Sequence, residues 1–120
     1  MVEEKVIATN ITVCRGFLRK STGLMFRWPG GRFAFVFPFR RPRPLPITMW
    51  FVFYPIDIVF LDEEGYVVDM VKSLPPWGYY NPVCRASTFI EFPEGTLAKH
   101  RIRIGSRLAW SADEVRIRSP

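Results

Sequence analysis

Few side chains in this 120-residue chain have the type and setting to do chemistry. The lone histidine, His100, lies between Lys99 and Arg101 on what reads as a polar helix end. Asp62, Glu63 and Glu64 are adjacent acids, but hard cations need oxygens converging from more than one tight turn, so no metal is expected there. No nucleophile elbow, phosphate loop, metal-ligand cluster or close carboxylate pair is visible, and no cofactor is implied. The residues argue for a binding or interaction module over an enzyme.

Three groups suit binding. In "FVFYPIDIVFLD" the carboxylate of Asp57 interrupts an apolar run in which Ile56, Ile58 and Phe60 line one face and Val59 and Leu61 the other. A strand apolar on both sides is covered on both sides. Its carboxylate must then be paired, hydrogen-bonded or protonated, since an unpartnered buried charge is very costly. Arg27 and backbone amides beside Pro55 are the candidate partners. In "RRPRPLP", Arg40, Arg41 and Arg43 are held apart by prolines, and guanidinium forks match phosphate geometry. In "PPWGYY", Trp77, Tyr79 and Tyr80 either stack against a base, sugar or peptide or close over the core.

These groups hang on elements that read mostly as strands. "KVIATNITVCRGF" gives one or two strands with a break near Asn10, and "RFAFVFPF" alternates Phe33, Phe35 and Phe37 against Ala34 and Val36. Alternating prolines predict a polyproline-like surface loop for "RRPRPLP". Strand material returns in "ITMWFVFYPIDIVFLD", with Pro55 at a bulge, start or edge. "DEEG" turns into "YVVDMV" with Gly65 at positive φ. "ASTFIEF" is a further strand, and Thr96 is placed to cap a short helix after Gly95. "IRIGSRL" and "EVRIRSP" complete the set. Many short strands between turn signals predict one mainly β domain over residues 1–120, a sandwich or closed barrel with one or two short helices.

Composition narrows the setting. The net charge is +6, and acids through Pro46 are limited to Glu3 and Glu4. That surface favours an anionic partner, a small molecule or nucleic acid. No export signal or membrane span is apparent, so a cytoplasmic protein, monomeric or weakly dimeric and without a membrane partner, is expected. Glutamine is absent and asparagine is confined to Asn10 and Asn81. With abundant arginine, that composition points to a thermophile. Thermophile interiors tolerate disulfides, so Cys14 and Cys84 are a candidate bridge.

"GLMFR", "YPIDIVFLDEEGYVVD", "LPPW" and "FIEFPEGTLAKHRIRIGSRL", in that order, resemble domain-of-unknown-function family 192. The match runs from about Thr12 to Leu108. It implies a compact β sandwich or barrel and marks Gly23, Met25, Arg27, Pro55, Asp57, Gly95 and Gly105 as motif positions. Two departures are visible. Many members carry Met-Lys-Asn-Thr where this chain has Met49, Trp50, Phe51 and Val52, and the usual Gly-Asp is Gly105-Ser106. The expectation from the sequence is a ligand cleft bounded by Arg27, Asp57 and Trp77, with Tyr79 beside it. It would take a small polar or anionic ligand, with nucleic-acid contact through Arg40, Arg41 and Arg43 as the alternative.

Overall fold

A computed structural model describes residues 3–14, 32–48 and 54–119. The strands are β1 (Glu3–Ala8), β2 (Asn10–Val13), β3 (Phe33–Arg43), β4 (Ile47–Thr48), β5 (Ile56–Leu61), β6 (Val67–Leu74), β7 (Tyr79–Tyr80), β8 (Ala86–Pro93), β9 (Arg107–Trp110) and β10 (Val115–Ser119). One helical turn, α1 (Thr96–Lys99), follows β8.

The strands form a five-stranded sheet of order β2-β3-β8-β5-β6, a three-stranded sheet of order β1-β10-β9 and a β4-β7 ribbon. The arrangement is sandwich-like, and the expected alternative of a closed barrel is not adopted. The predicted break near Asn10 is where the chain changes sheets. β1 pairs antiparallel with β10, while β2 pairs parallel with β3. Thr9 and Asn10 N–H both donate to Arg32 O at the crossing.

Alternation along the central strands divides the core. Phe33, Phe35, Phe37, Ile56, Ile58 and Phe60 build one apolar cluster, against which Tyr80 of the ribbon packs. Ala34, Val36, Val59, Leu61, Ile90 and Phe92 build the other, which Leu97 of α1 and Leu108 and Val115 of the small sheet cover. Apolar clusters therefore cover both faces of the central sheet around β5. β5 is buried along its whole length, as its near-continuous apolar run requires.

Several local expectations are corrected. "RRPR" is not a polyproline loop, because β3 continues to Arg43. Its pairing with β8 passes from Pro38↔Thr88 to Arg43↔Ala86, so residues 39–42 bulge opposite one residue of β8. Pro42 sits inside that bulge, where no ladder N–H is required. "IRIGS" is a loop leading into β9, not a strand. The "DEEG" hairpin forms as read, with Asp62 N–H donating to Tyr66 O at 2.9 Å and Gly65 at φ 90°. Pro55 immediately precedes β5. Of the candidate bridge pair, Cys14 is buried and Cys84 is exposed.

Candidate anion-binding site

Asp57 is 1% exposed and held by amides from two other elements. Its Oδ1 accepts from Ser73 N–H at 2.9 Å, and its Oδ2 from Gly95 and Leu97 N–H at 3.1 and 3.0 Å. Each donor has a local cause. Pairing between β5 and β6 runs from Ile56↔Leu74 to Ile58↔Val71, which leaves an extra residue of β6 opposite Asp57. That bulge, with Ser73 at φ 54°, frees an N–H to turn inward. At α1 the cap position is Gly95, which has no side chain, and the Thr96 hydroxyl donates instead to Pro93 O at 2.7 Å. The helix's orphan amides are thus met by a carboxylate from β5, not by Thr96. Asp57 is a structural clamp joining β5, β6 and α1. The amides come from the bulge and the helix, not from beside Pro55, and Arg27 lies outside the described residues.

Trp77 and Tyr79 are not among the groups bonded to Asp57. Trp77, at φ 62° in the β6–β7 loop, is 50% exposed, and Tyr79 on β7 is 60% exposed. Asp69 fixes this loop. Its Oδ1 accepts from Tyr80 OH and Met70 N–H, and its Oδ2 from Val83 N–H, each at 2.8 Å. Burial and the Asp69 carboxylate push the Tyr80 phenol up to about 12. Arg40, Arg41 and Arg43 are exposed on the outer half of β3, and the Arg43 guanidinium lies 5.5 Å from the Phe39 ring centre.

Cations converge elsewhere. Lys5 of β1, Lys99 of α1, Arg101 and Arg103 of the following loop, Arg107 of β9 and Arg118 of β10 line a cavity of about 800 Å³. No acidic side chain lines it among the described residues. One of its cations, Arg118, also pairs with Glu4 at 3.1 Å. Arg107 is held in place: its Nε donates to Glu64 O at 3.0 Å and its guanidinium stacks 5.2 Å from the Tyr66 ring centre.

Arg101 occupies a position that helices usually give to glycine. Ile102 N–H bonds to Leu97 O and Arg101 N–H to Ala98 O, a Schellman ending with Arg101 left-handed at φ 54°. An L side chain there costs about 1 to 2 kcal/mol. His100, also on the cavity wall, has a buried Nδ1 without a hydrogen-bond partner among the described residues. Burial, then Lys5, Lys99 and Arg32, lower its pKa from the ordinary imidazole value.

Sequence reasoning singled out none of these cations as a group. The repeated Arg-Ile-Arg in "HRIRIG" and "EVRIR" was the available signal. It becomes informative only once α1, β9 and β10 are known to adjoin.

The described residues form a sandwich-like β fold with a basic cavity, and no metal-ligating cluster is found among them. No described helix is long and apolar enough to cross a membrane. A family model described as "Uncharacterized ACR" matches residues 2–110, and the chain belongs to that family, DUF192. A UPF0127 protein from Pyrococcus abyssi is 33% identical over 100 residues, covering 83% of this chain and 85% of that protein. One from Pyrococcus horikoshii is 32% identical, covering 83% and 86%. These thermophile relatives accord with the amide-poor composition. Two solved structures share the fold. One is called a putative transcription regulator, from Sinorhizobium meliloti (TM-score 0.76, 19% identity, 81% of this chain and 78% of that one). The other is a protein of unknown function from Novosphingobium aromaticivorans (0.77, 21%, 83% and 74%).

Proposed function

We propose that this protein is a non-enzymatic module that binds an anionic partner in the basic cavity. The observation that carries the reading is the convergence of six cationic side chains from five elements and loops on one concavity without an acid among the described lining residues. Like charges brought together cost free energy, and a bound anion relieves that cost. Arg107 is already fixed by Glu64 O and the Tyr66 ring, so little side-chain entropy is lost on binding. Asp57 and Trp77 do not line this cavity, and both Asp57 oxygens are engaged by backbone amides.

Calorimetric titration with inorganic tripolyphosphate at low salt tests this. Saturable binding that weakens steeply with added salt is expected, and Lys99→Ser with Arg103→Ser should reduce it about tenfold or more. No saturable heat at low salt, or binding indifferent to the double substitution, would remove the reading.

A further inference from the structure

The basic cavity does not end at its own rim. An adjoining cavity of about 520 Å³ is lined by Arg40 of β3 and shares Arg107 and Arg118 with the first. The two concavities therefore share a wall. Their shared arginines connect the outer half of β3 to the loop after α1. A compact anion would fill one concavity and leave the other cations unused. An extended polyanion would use both.

We propose that the partner is single-stranded nucleic acid, lying across both cavities from Arg40 past Arg118 and Arg107 to Arg103, Arg101 and Lys99. This rests on the anion-binding reading above and assigns its ligand class. The aromatic side chains favour a single strand over a duplex. Phe39 and Trp110 line the second cavity and Tyr66, 39% exposed, lines the first. Rings interleaved with cations along a groove offer stacking faces to unpaired bases while the cations follow the phosphates. A duplex keeps its bases stacked on one another and presents chiefly phosphate and groove edges.

One feature opposes the path. Asp62, Glu63 and Glu64 of the hairpin also line the second cavity. Asp62 is committed to its own turn, with Oδ1 accepting from Glu64 and Tyr66 N–H at 2.9 Å. Glu63 and Glu64 are exposed and repel phosphate, so they confine the strand to the arginine wall. Removing their charge tightens binding.

Arg101 supplies a separate sign. It keeps a left-handed backbone that glycine would hold without strain. In the proposal the guanidinium is retained there for the ligand.

Fluorescence anisotropy with labelled dT4, dT8 and dT15, a 15-base-pair duplex and unlabelled tripolyphosphate as competitor tests the proposal. Affinity should rise about tenfold or more from dT4 to dT15, in line with single-strand sites of roughly 4 to 16 nucleotides. The salt slope for dT15 should lie near −3 to −5, at about −0.7 per phosphate contact. Arg40→Ser should weaken dT15 about threefold or more and flatten its slope by about 0.7, as should Arg103→Ser. Glu63→Gln with Glu64→Gln should tighten it. Arg101→Gly should raise the melting temperature yet weaken dT15, which separates a lost contact from a damaged fold. If tripolyphosphate binds but dT15 is no tighter than dT4, or ignores Arg40→Ser, the track is wrong and the anion site stands. A duplex binding more tightly than dT15 would overturn the single-strand assignment. If neither oligonucleotide nor tripolyphosphate binds, the anion reading itself fails.

Discussion

Asp57 on β5 and Glu91 on β8 lie on adjacent strands of the five-stranded sheet, one residue apart in register and on opposite faces. Both are carboxyl groups in surroundings of apolar strand. Asp57 receives three backbone amides, supplied by a bulge in β6 and the unsatisfied start of α1. Glu91, 8% exposed and paired across the sheet with Ile58 and Phe35, has no hydrogen-bond or ion-pair partner among the described residues. Burial alone pushes its carboxyl up to about 8. The difference is one of available donors. A regular ladder spends its N–H groups on the neighbouring strand, and only where regularity fails do amides become free for a side chain. Asp57 sits beside two such failures and Glu91 beside none.

The largest expected effect comes from removing the satisfied group. Asp57→Ala removes the shared acceptor of three amides, of which Leu97 N–H is buried, and hydrogen bonds to a charged acceptor are worth about 1.5 to 3 kcal/mol each, so a loss of about 5 kcal/mol is expected. Asp57→Asn keeps one oxygen, which the Gly95 and Leu97 amides would claim. Its NH2 then faces Ser73 N–H, two donors opposed, and the cost should be roughly half as large. Denaturant unfolding measures both. An Asn variant as stable as the parent would mean that Asp57 is not a clamp.

The second prediction concerns the unsatisfied group and is read from pH. Folded Glu91 holds its proton up to about pH 8, whereas an ordinary glutamate loses it near 4.5. The stability this group contributes is therefore fully present below pH 4.5 and is lost as pH rises through 8. At about 1.4 kcal/mol per pH unit the loss across that window is on the order of 5 kcal/mol. His100 acts in the opposite sense. Its lowered pKa makes the folded state reject a proton that the unfolded chain accepts, so it withdraws stability as pH falls through the ordinary imidazole range. Glu91→Gln should flatten the fall between pH 5 and 8, and in a Gln variant the His100 effect should stand alone. A parent curve that is flat over that range would show that the Glu91 carboxyl has found a donor or water.

The sequence made half of this comparison visible. Asp57 stood out because an acid in "PIDIVF" breaks an apolar run, and its burial could be argued from residues on either side. Glu91 in "FIEF" passed as an ordinary alternating strand, because whether its face is covered depends on the β4-β7 ribbon and other segments far away in the chain. The strands themselves, the Gly65 hairpin and the sandwich class were readable, since period-two alternation and turn chemistry are local. Pairing was not. The parallel β2–β3 contact, the passage from one sheet to the other at Thr9 and the bulge that keeps Pro42 within a strand are all set by partners. Asp57's donors lie 16, 38 and 40 residues away, and the basic cavity draws on both ends of the chain.

Asp69 is the intermediate case and gives the smallest expected effect. It is buried like the other two, but one of its donors is a side chain that can be deleted without touching the backbone. Tyr80→Phe removes the phenol and leaves the amides of Met70 and Val83 in place. A single hydrogen bond to a carboxylate that retains other donors should then cost about 1 to 2 kcal/mol near neutral pH, well below Asp57→Ala. The sign with pH follows from the tyrosine. Its folded pKa is raised from 10 to about 12, so its stabilisation is complete below pH 10 and is lost as pH rises through 12. The stability difference between parent and Tyr80→Phe should accordingly shrink over that interval. If Tyr80→Phe proved as costly as Asp57→Ala, the number of donors would not be what separates these carboxylates. The Tyr80 ring, which stacks on Phe60 at 5.8 Å, would then have to carry the effect through packing of the ribbon against the core.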